Sequence, residues 1–171
     1  HVNHESGNKR VGVLLCINGA AIMNSWVKKN CCDELSYNEM DALAAEIPAG
    51  SEGLLVLPFG NGAERMLQNK IVGAHIMDID LNKHTKAHLF RAVQEGIAFA
   101  FRYGLDIMRE NGLNPTIIRA GKANLFLSDV FVRSFVDSTG VAVELYENDG
   151  SIGAALGAGI GARISKSYSD A

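Results

Sequence analysis

The residues best suited to ligand chemistry lie in small-residue segments of the C-terminal third. The first segment is Ile117-Ile118-Arg119-Ala120-Gly121-Lys122-Ala123-Asn124, where a short apolar run leads into a turn and then a helix. Gly121 lets a ligand approach the backbone closely, and Lys122 and Asn124 offer polar contacts to a base or ribose. The alternative is a tight strand–helix turn without a ligand, and the local pattern leaves both open.

The second segment, residues 149–161, reads as a turn followed by a glycine-rich helix. Its glycines stand at positions 150, 153, 157 and 161, and helical spacing places them along one face. Each interior glycine costs a helix about 1 kcal/mol relative to alanine. Four of them therefore indicate that another backbone or a ligand approaches this face. A strand–glycine turn–helix unit beside such a helix predicts a nucleotide site.

Standard phosphate-binding motifs do not account for these glycines. A P-loop ending at Gly121-Lys122 requires a glycine and a hydroxyl residue where this chain has Thr116 and Ala123. A dinucleotide-binding fingerprint opens a helix, whereas Gly157-Ala158-Gly159-Ile160-Gly161 lies inside one. Any nucleotide is therefore expected to contact Gly121 through its base or ribose.

The sequence does not predict a metal site. Residues 78–82 begin like a calcium loop, but Lys83 replaces the turn glycine and Leu89 the bidentate glutamate. His84 and His88 could share a metal, yet exposed first-turn histidines explain the pair equally well.

The amino-acid composition limits the classes of protein to which this chain can belong. The 171 residues are 47% apolar with a formal net charge of −3, which suits one packed domain and gives no electrostatic case for nucleic acid or an anionic membrane. Cys16, Cys31 and Cys32 do not form a disulfide framework, so reduced thiols and a cytoplasmic location are expected. The polar start, without methionine or signal peptide, suggests a fragment of a longer protein.

Long helices alternating with short apolar strands predict an α/β fold. Apolar runs predict strands at residues 10–17, 54–59, 116–120 and 141–145, with a polar loop at 60–69. Helical patterns and caps predict helices at 20–29, 37–47, 88–111 and 129–137, before the glycine-rich helix. Asn61, Glu64 and Arg65 follow a buried strand, where loops of open α/β sheets line ligand crevices; a solvated hairpin is the alternative.

Four segments in the right order resemble the C-terminal domain of the FGGY carbohydrate kinases. Residues 11–26 resemble the family's strand, glycine turn and helix, and residues 57–65 its Pro-aromatic-x-x-Gly-Glu-Arg loop with one residue inserted. Residues 150–158 resemble its closing Gly-Ala-Ala-x-Gly-Ala helix. The long helix at residues 87–103 matches the family at Arg91, Ala92, Glu95, Gly96, Ala98 and Phe99.

The resemblance implies an actin-like, ribonuclease-H-type fold, in which helices flank a mixed sheet and ATP lies between two lobes. It implies that residues 1–171 form a single domain, the nucleotide-binding half of a kinase. The kinase would transfer the γ-phosphoryl group of ATP, with Mg²⁺ carried by the nucleotide, to a sugar hydroxyl of xylulose or a related pentulose. The catalytic base would belong to an N-terminal domain absent from this chain, so the fragment alone is expected to be inactive. The expected partners are that domain, the sugar and, because family members often dimerise, a second copy.

The same resemblance assigns the site residues. Gly19 would lie beside the adenine, Gly121 and Asn124 would hold the adenosine, and Lys122 would lie at its edge. The loop residues Asn61, Glu64 and Arg65 would lie near the cleft and orient the hinge. The family's consecutive glycines are here Ala120-Gly121-Lys122, a departure that favours a second hypothesis, a non-catalytic actin-like nucleotide-binding regulatory module. A structural interaction domain is a third.

Overall fold

The computed structural model describes residues 12–147, 150–167 and 170, and they confirm the α/β class. Helices begin and end close to the predicted positions, because caps and apolar stripes are local signals. Ser36, for example, caps a helix through a complete capping box with Glu39. The helices are α1 (Ala20–Cys31), α2 (Tyr37–Ala45), α3 (Lys86–Glu110), α4 (Asp129–Thr139) and α5 (Ser151–Gly161).

The described strands form two separate two-stranded sheets, one antiparallel and one parallel. Strands β1 and β2 make the hairpin, and β3 and β4 make the parallel pair on either side of α4. The bounds are β1 (Leu55–Glu64), β2 (Lys70–Met77), β3 (Ile117–Gly121) and β4 (Ala142–Tyr146).

Two secondary-structure predictions in the N-terminal half of the chain were wrong. The polar loop at 60–69 is instead the second half of β1 and a 3-10 turn, and β2 follows it unpredicted. Strand β2 is largely exposed, so backbone pairing with β1 holds it and no apolar alternation marks it. The predicted strand at 10–17 lies partly outside the described residues, and residues 12–17 form no strand, since no described strand pairs with them.

An irregularity in β1 shapes the region next to α1. The register steps from Phe59 opposite Gly73 to Ala63 opposite Ile71, so β1 carries extra residues that β2 does not match. Gly62, within this bulge, has φ +79, a left-handed conformation that glycine adopts without strain. Asn61 in this bulge and Glu64 at the end of β1 both form hydrogen bonds to residues just before α1.

Helix α3 is the centre of the core and explains the family-like residues on it. Arg91 Nε donates to Glu95 Oε1 at 2.6 Å, and the Gly50 amide donates to the same oxygen at 3.1 Å. Gly96 lies against β1, where a Cβ would overlap the carbonyl oxygen of Val56. These residues therefore position α3 against its neighbours. The predicted apolar stripe is confirmed, with Val93, Ile97, Ala100 and Leu105 buried.

The glycine-rich helix α5 has none of its residues buried. A Cβ built at Gly150, Gly153 or Gly161 would meet no described atom within 4 Å. At these three positions, the close approach predicted for the glycine face is therefore not made by the described part of the chain. It stays a prediction about a ligand or partner.

Candidate functional site

A loop at the carboxyl end of β3 forms the centre of the candidate site. Gly121 pairs with Tyr146 of β4, and the Lys122 amide donates to the Tyr146 carbonyl at 2.8 Å. The chain then turns sharply, with the Ala123 amide donating to the Gly121 carbonyl at 2.8 Å. Asn124 adopts a left-handed conformation with φ +52, which asparagine tolerates better than most residues.

A cavity of about 480 Å³ opens on this loop, within the size range of small-molecule sites. Gly121 and Asn124 line one side, and Ala20 and Ala21, the first residues of α1, line another. Gly150, which precedes α5, also contributes. The structure thus brings residues from the two ends of the chain to one cavity, and small side chains leave the backbone accessible there.

Gly19 and Lys122, both predicted to bind ATP, do not line this cavity. Gly19 faces β1, where a Cβ would overlap the carbonyl oxygen of Pro58 and lie 2.9 Å from Phe59 Cα. Lys122 is exposed and its Nζ lies 3.0 Å from Glu147 Oε1, in an ion pair. Both lie next in sequence to residues that do line the cavity, and their assignment to ATP binding stays a prediction.

The predicted cleft loop holds the start of α1. Glu64 is fully buried, and its two carboxylate oxygens accept from the Asn18 amide at 3.0 Å and the Gly19 amide at 2.8 Å. Asn61 Nδ2 donates to the Asn18 carbonyl at 3.0 Å. A carboxylate near the N-terminus of a helix also interacts favourably with the helix dipole. Arg65 is exposed and begins the 3-10 turn after β1.

Asn18, which sequence reasoning overlooked, completes this contact. Its Nδ2 donates to the Ala63 carbonyl at 2.7 Å, so side chain and backbone both bind the bulged end of β1. The only sequence signal was a polar residue before a glycine at a helix start. Glu64 and Asn61 thus orient α1, the helix whose first residues line the cavity.

A second cavity of about 380 Å³ adjoins the first and shares Ala21, Asn124 and Leu125 with it. A buried polar chain reaches its wall: Ser128 Oγ donates to Gln94 Oε1 at 2.7 Å, and Gln94 Nε2 donates to Asp41 Oδ1 at 2.7 Å. Burial raises the pKa of Asp41 above its usual value, against the lowering effect of the Gln94 hydrogen bond.

This pKa predicts how Asp41 affects stability. When the pKa of a carboxyl group is higher in the folded state than in the unfolded state, ionisation of the group opposes folding. The free energy of unfolding therefore falls as pH rises from the unfolded-state pKa, about 3.9, through the folded-state pKa. Asp41→Asn should therefore gain stability relative to wild type as pH rises above about 4, measured by urea unfolding. The control is Asp33→Asn at an exposed loop position. A difference from wild type that is constant with pH would contradict the assignment.

The histidines have structural partners. His88 is nearly buried, its Nε2 lies 2.8 Å from Glu52 Oε2, and its Nδ1 accepts from the Thr85 amide. His84 Nδ1 accepts from the Asp80 amide at 3.0 Å. His88 is therefore not the exposed residue that was expected. Among the described residues, no group of three or more acidic, histidine or cysteine side chains is placed to hold a metal.

Of the cysteine neighbours, Cys32 is buried and Cys31 is exposed. Burial raises the pKa of the Cys32 thiol, which keeps it protonated and inert. Across the described part of the chain, no helix combines the length and apolarity needed to cross a membrane.

Comparison with known proteins places this geometry in a family. Residues 5–162 match the model of the C-terminal domain of the FGGY family of carbohydrate kinases. The chain is 31% identical over 144 residues to the L-xylulose/3-keto-L-gulonate kinase of Escherichia coli, which covers 81% of this chain and 27% of that protein. It is 38% identical over 85 residues to the xylulose kinase of Haemophilus influenzae, covering 50% of this chain and 17% of that protein.

Comparison with a solved structure leads to the same group of kinases. The xylulose kinase of Rhodospirillum rubrum superposes with a TM-score of 0.67 and 29% identity, over 82% of this chain and 29% of that one. The matches thus span between 17% and 29% of the length of these relatives, and the actin-like, ribonuclease-H-like fold is theirs as well. The chain belongs to the FGGY family of carbohydrate kinases and corresponds to the C-terminal domain of that family.

Proposed function

We propose that this chain is the nucleotide-binding half of an ATP-dependent carbohydrate kinase. The observation that carries the proposal is the cavity in which Gly121 and Asn124 meet the first residues of α1. Its volume and small-residue lining fit an adenosine group. In two-lobed kinases of this kind, the nucleotide is held by one lobe and the acceptor mainly by the other, so the whole reaction requires a second domain.

The residues of this chain would bind and position the nucleotide. The Gly121 backbone and the Asn124 side chain contact the adenosine, and Ala20 and Ala21 close the opposite wall. Lys122, paired with Glu147, contributes positive charge at the rim. ATP with its Mg²⁺ supplies the phosphoryl group and neutralises its charge. Glu64 and Asn61 fix α1 so that the cavity keeps its shape.

The substrate we propose for the whole protein is D-xylulose or a related pentulose, with an N-terminal domain of the same protein supplying the base and most sugar contacts. The support is the relatives, whose names are xylulose kinase and L-xylulose/3-keto-L-gulonate kinase. Their names make D-xylulose, L-xylulose and 3-keto-L-gulonate the first sugars to assay. A cytoplasmic location and assembly into a homodimer are part of the same proposal.

Nucleotide binding by the 171-residue chain tests this proposal. We expect calorimetry to detect ADP and ATP with dissociation constants between about 0.1 and 1 mM, weak because one lobe is missing. Gly121→Val should abolish binding, since a branched side chain at this strand end fills the space that the ligand needs. Lys122→Ala should weaken it at most a few-fold. Equal binding by wild type and Gly121→Val would overturn the assignment.

One observation favours a non-catalytic nucleotide-binding regulatory module instead. Where the family has consecutive glycines, Ala120 and Lys122 flank Gly121, and Lys122 is held by Glu147. The two functions separate in the longer protein that contains this chain. Phosphorylation of a ketopentose supports the kinase, whereas tight ATP binding without turnover on any of the three sugars supports the regulatory module.

A further inference from the structure

Strand β2 has one edge that no other strand covers. Within the described part of the chain, β1 is the only strand that pairs with β2, so the main-chain groups along its other edge have no strand partner. Six of its eight residues are exposed, and Ile71 is 81% exposed. A two-stranded hairpin is marginally stable in water, and an exposed apolar edge is a template for pairing with a further strand.

The contacts of β1 show which residues of β2 face this edge. The carbonyl oxygens of Val56 and Pro58 lie against glycines of α3 and α1, where an added Cβ would overlap them. These two residues therefore direct their main-chain groups away from β2. In an antiparallel pair, two opposite residues either bond to each other or both point outward, so their partners Ile76 and Ala74 direct their main-chain groups to the uncovered edge.

The sequence of this edge is complementary to itself. Positions 70–78 read Lys-Ile-Val-Gly-Ala-His-Ile-Met-Asp. When two copies pair antiparallel with Ala74 on the two-fold axis, apolar side chains oppose apolar ones and unlike charges meet at each end. The opposed pairs, each formed twice, are Val72 with Ile76, Ile71 with Met77 and Lys70 with Asp78. Such cross-strand pairs stabilise a sheet, and a two-fold dimer requires a surface that matches its own copy.

We propose that two copies of this chain pair through β2 and form a continuous four-stranded antiparallel sheet. The proposal rests on the homodimer included in the proposed function, and it adds the surface and the register. The assembly stops at two copies, because α1 and α3 cover the other edge of the hairpin. Among the described residues that line the cavity proposed for the nucleotide, none belongs to β2, so the pairing does not occupy that cavity.

Two features of β2 oppose this pairing and limit its strength. His75 Nε2 lies 3.1 Å from the Val72 carbonyl oxygen, and Gly73 has φ +82. The second copy therefore displaces one side-chain contact and straightens one bend, and glycine reaches extended conformations as readily as left-handed ones. For such a small edge-to-edge interface we expect a reversible dimer with a dissociation constant on the order of 10 μM.

Sedimentation equilibrium of the 171-residue chain tests the surface. Wild type should show a monomer–dimer equilibrium. Val72→Lys should raise the dissociation constant about 100-fold, because each dimer then places two charged groups against apolar ones. Leu81→Lys, at a position that is 91% exposed and outside β2, is the control and should leave the constant unchanged. A wild type that stays monomeric at roughly 1 mM, or a dimer of equal strength in Val72→Lys, would overturn the proposal.

An exchange of the end charges tests the register. Lys70→Asp places two carboxylates opposite each other at both ends of the paired strands and should weaken the dimer about tenfold. The double variant Lys70→Asp/Asp78→Lys restores unlike pairs and should return the dissociation constant to within about threefold of wild type. Both side chains are exposed, and circular dichroism verifies that each variant is folded. A double variant weaker than Lys70→Asp would overturn the register.

The single tryptophan gives an independent readout of the pairing. Trp26 is 51% exposed and lines a cavity of about 340 Å³ together with Ala74 and Ile76. A sheet that continues past this face of β2 buries part of the indole ring. The emission maximum of Trp26 should therefore move to shorter wavelength as the dimer forms, and it should stay in place in Val72→Lys.

ADP calorimetry on the same samples separates this proposal from the nucleotide site. Gly121→Val should form the dimer like wild type although it binds no ADP, and Val72→Lys should bind ADP like wild type. Binding of ADP by a wild type that does not dimerise contradicts the β2 pairing alone. A dimer that forms through β2 without binding ADP contradicts the nucleotide site alone.

Discussion

Gly19→Ala is expected to lower the free energy of unfolding by about 3 kcal/mol, and to abolish folding if the chain has less stability than that. The added Cβ would overlap the Pro58 carbonyl oxygen and lie 2.8 Å from the carbonyl carbon. Both atoms belong to strand backbone, which cannot rotate away as a side chain does. Relief requires α1 to move off β1, and this breaks the two amide contacts with Glu64. Urea unfolding measures the change.

Gly153→Ala is the matched control for Gly19→Ala. Gly153 lies within α5, and a Cβ there meets no described atom within 4 Å. This substitution should be neutral or add up to about 1 kcal/mol, because alanine is the better helix former. A similar small effect at both positions would contradict the packing of α1 on β1. Because Ala20 and Ala21 line the cavity that we propose for the nucleotide, any folded Gly19→Ala should also bind ADP more weakly.

Glu64→Gln is expected to cost about 2–3 kcal/mol of unfolding free energy. The fully buried carboxylate accepts from two backbone amides, and an amide side chain offers one acceptor and points its NH₂ group at the other donor. Glu64→Ala should cost more, about 3–5 kcal/mol, since it leaves both amides unpaired and opens a cavity.

The control for Glu64→Gln is Glu110→Gln, at the exposed end of α3, which should leave the urea midpoint unchanged within error. ADP titration of Glu64→Gln distinguishes a local role from a global one. Weaker binding with retained helical circular dichroism indicates that Glu64 acts by orienting the first turn of α1. An unchanged midpoint for Glu64→Gln would contradict the buried bidentate contact.

The parts of the fold that sequence reasoning predicted are those with local signals. The Ser36–Glu39 capping box and the apolar stripe of α3 each depend on residues within a few positions of one another. Strand β2 lacked such a signal, because its residues are mostly exposed and its partner supplies the order. The strand expected at 10–17 was predicted from an apolar run alone, and such a run does not show whether a neighbouring strand pairs with it.

The same difference between local and long-range signals applies to the residues of the candidate site. Gly121 and Asn124 were recognised together because a single turn holds them, whereas Ala20 and Ala21 of α1 come to the same cavity from a distant part of the chain, only through packing.

The Glu64 carboxylate that binds the start of α1 also affects amide hydrogen exchange at that end of the helix. Backbone amides at a helix N-terminus are usually open to water and exchange with deuterium quickly. The amides of Asn18 and Gly19 are instead bound to a buried oxygen from a residue 46 and 45 positions away. Their deuterium uptake therefore reports separation of α1 from the hairpin, and it distinguishes that event from fraying at the far end of the same helix.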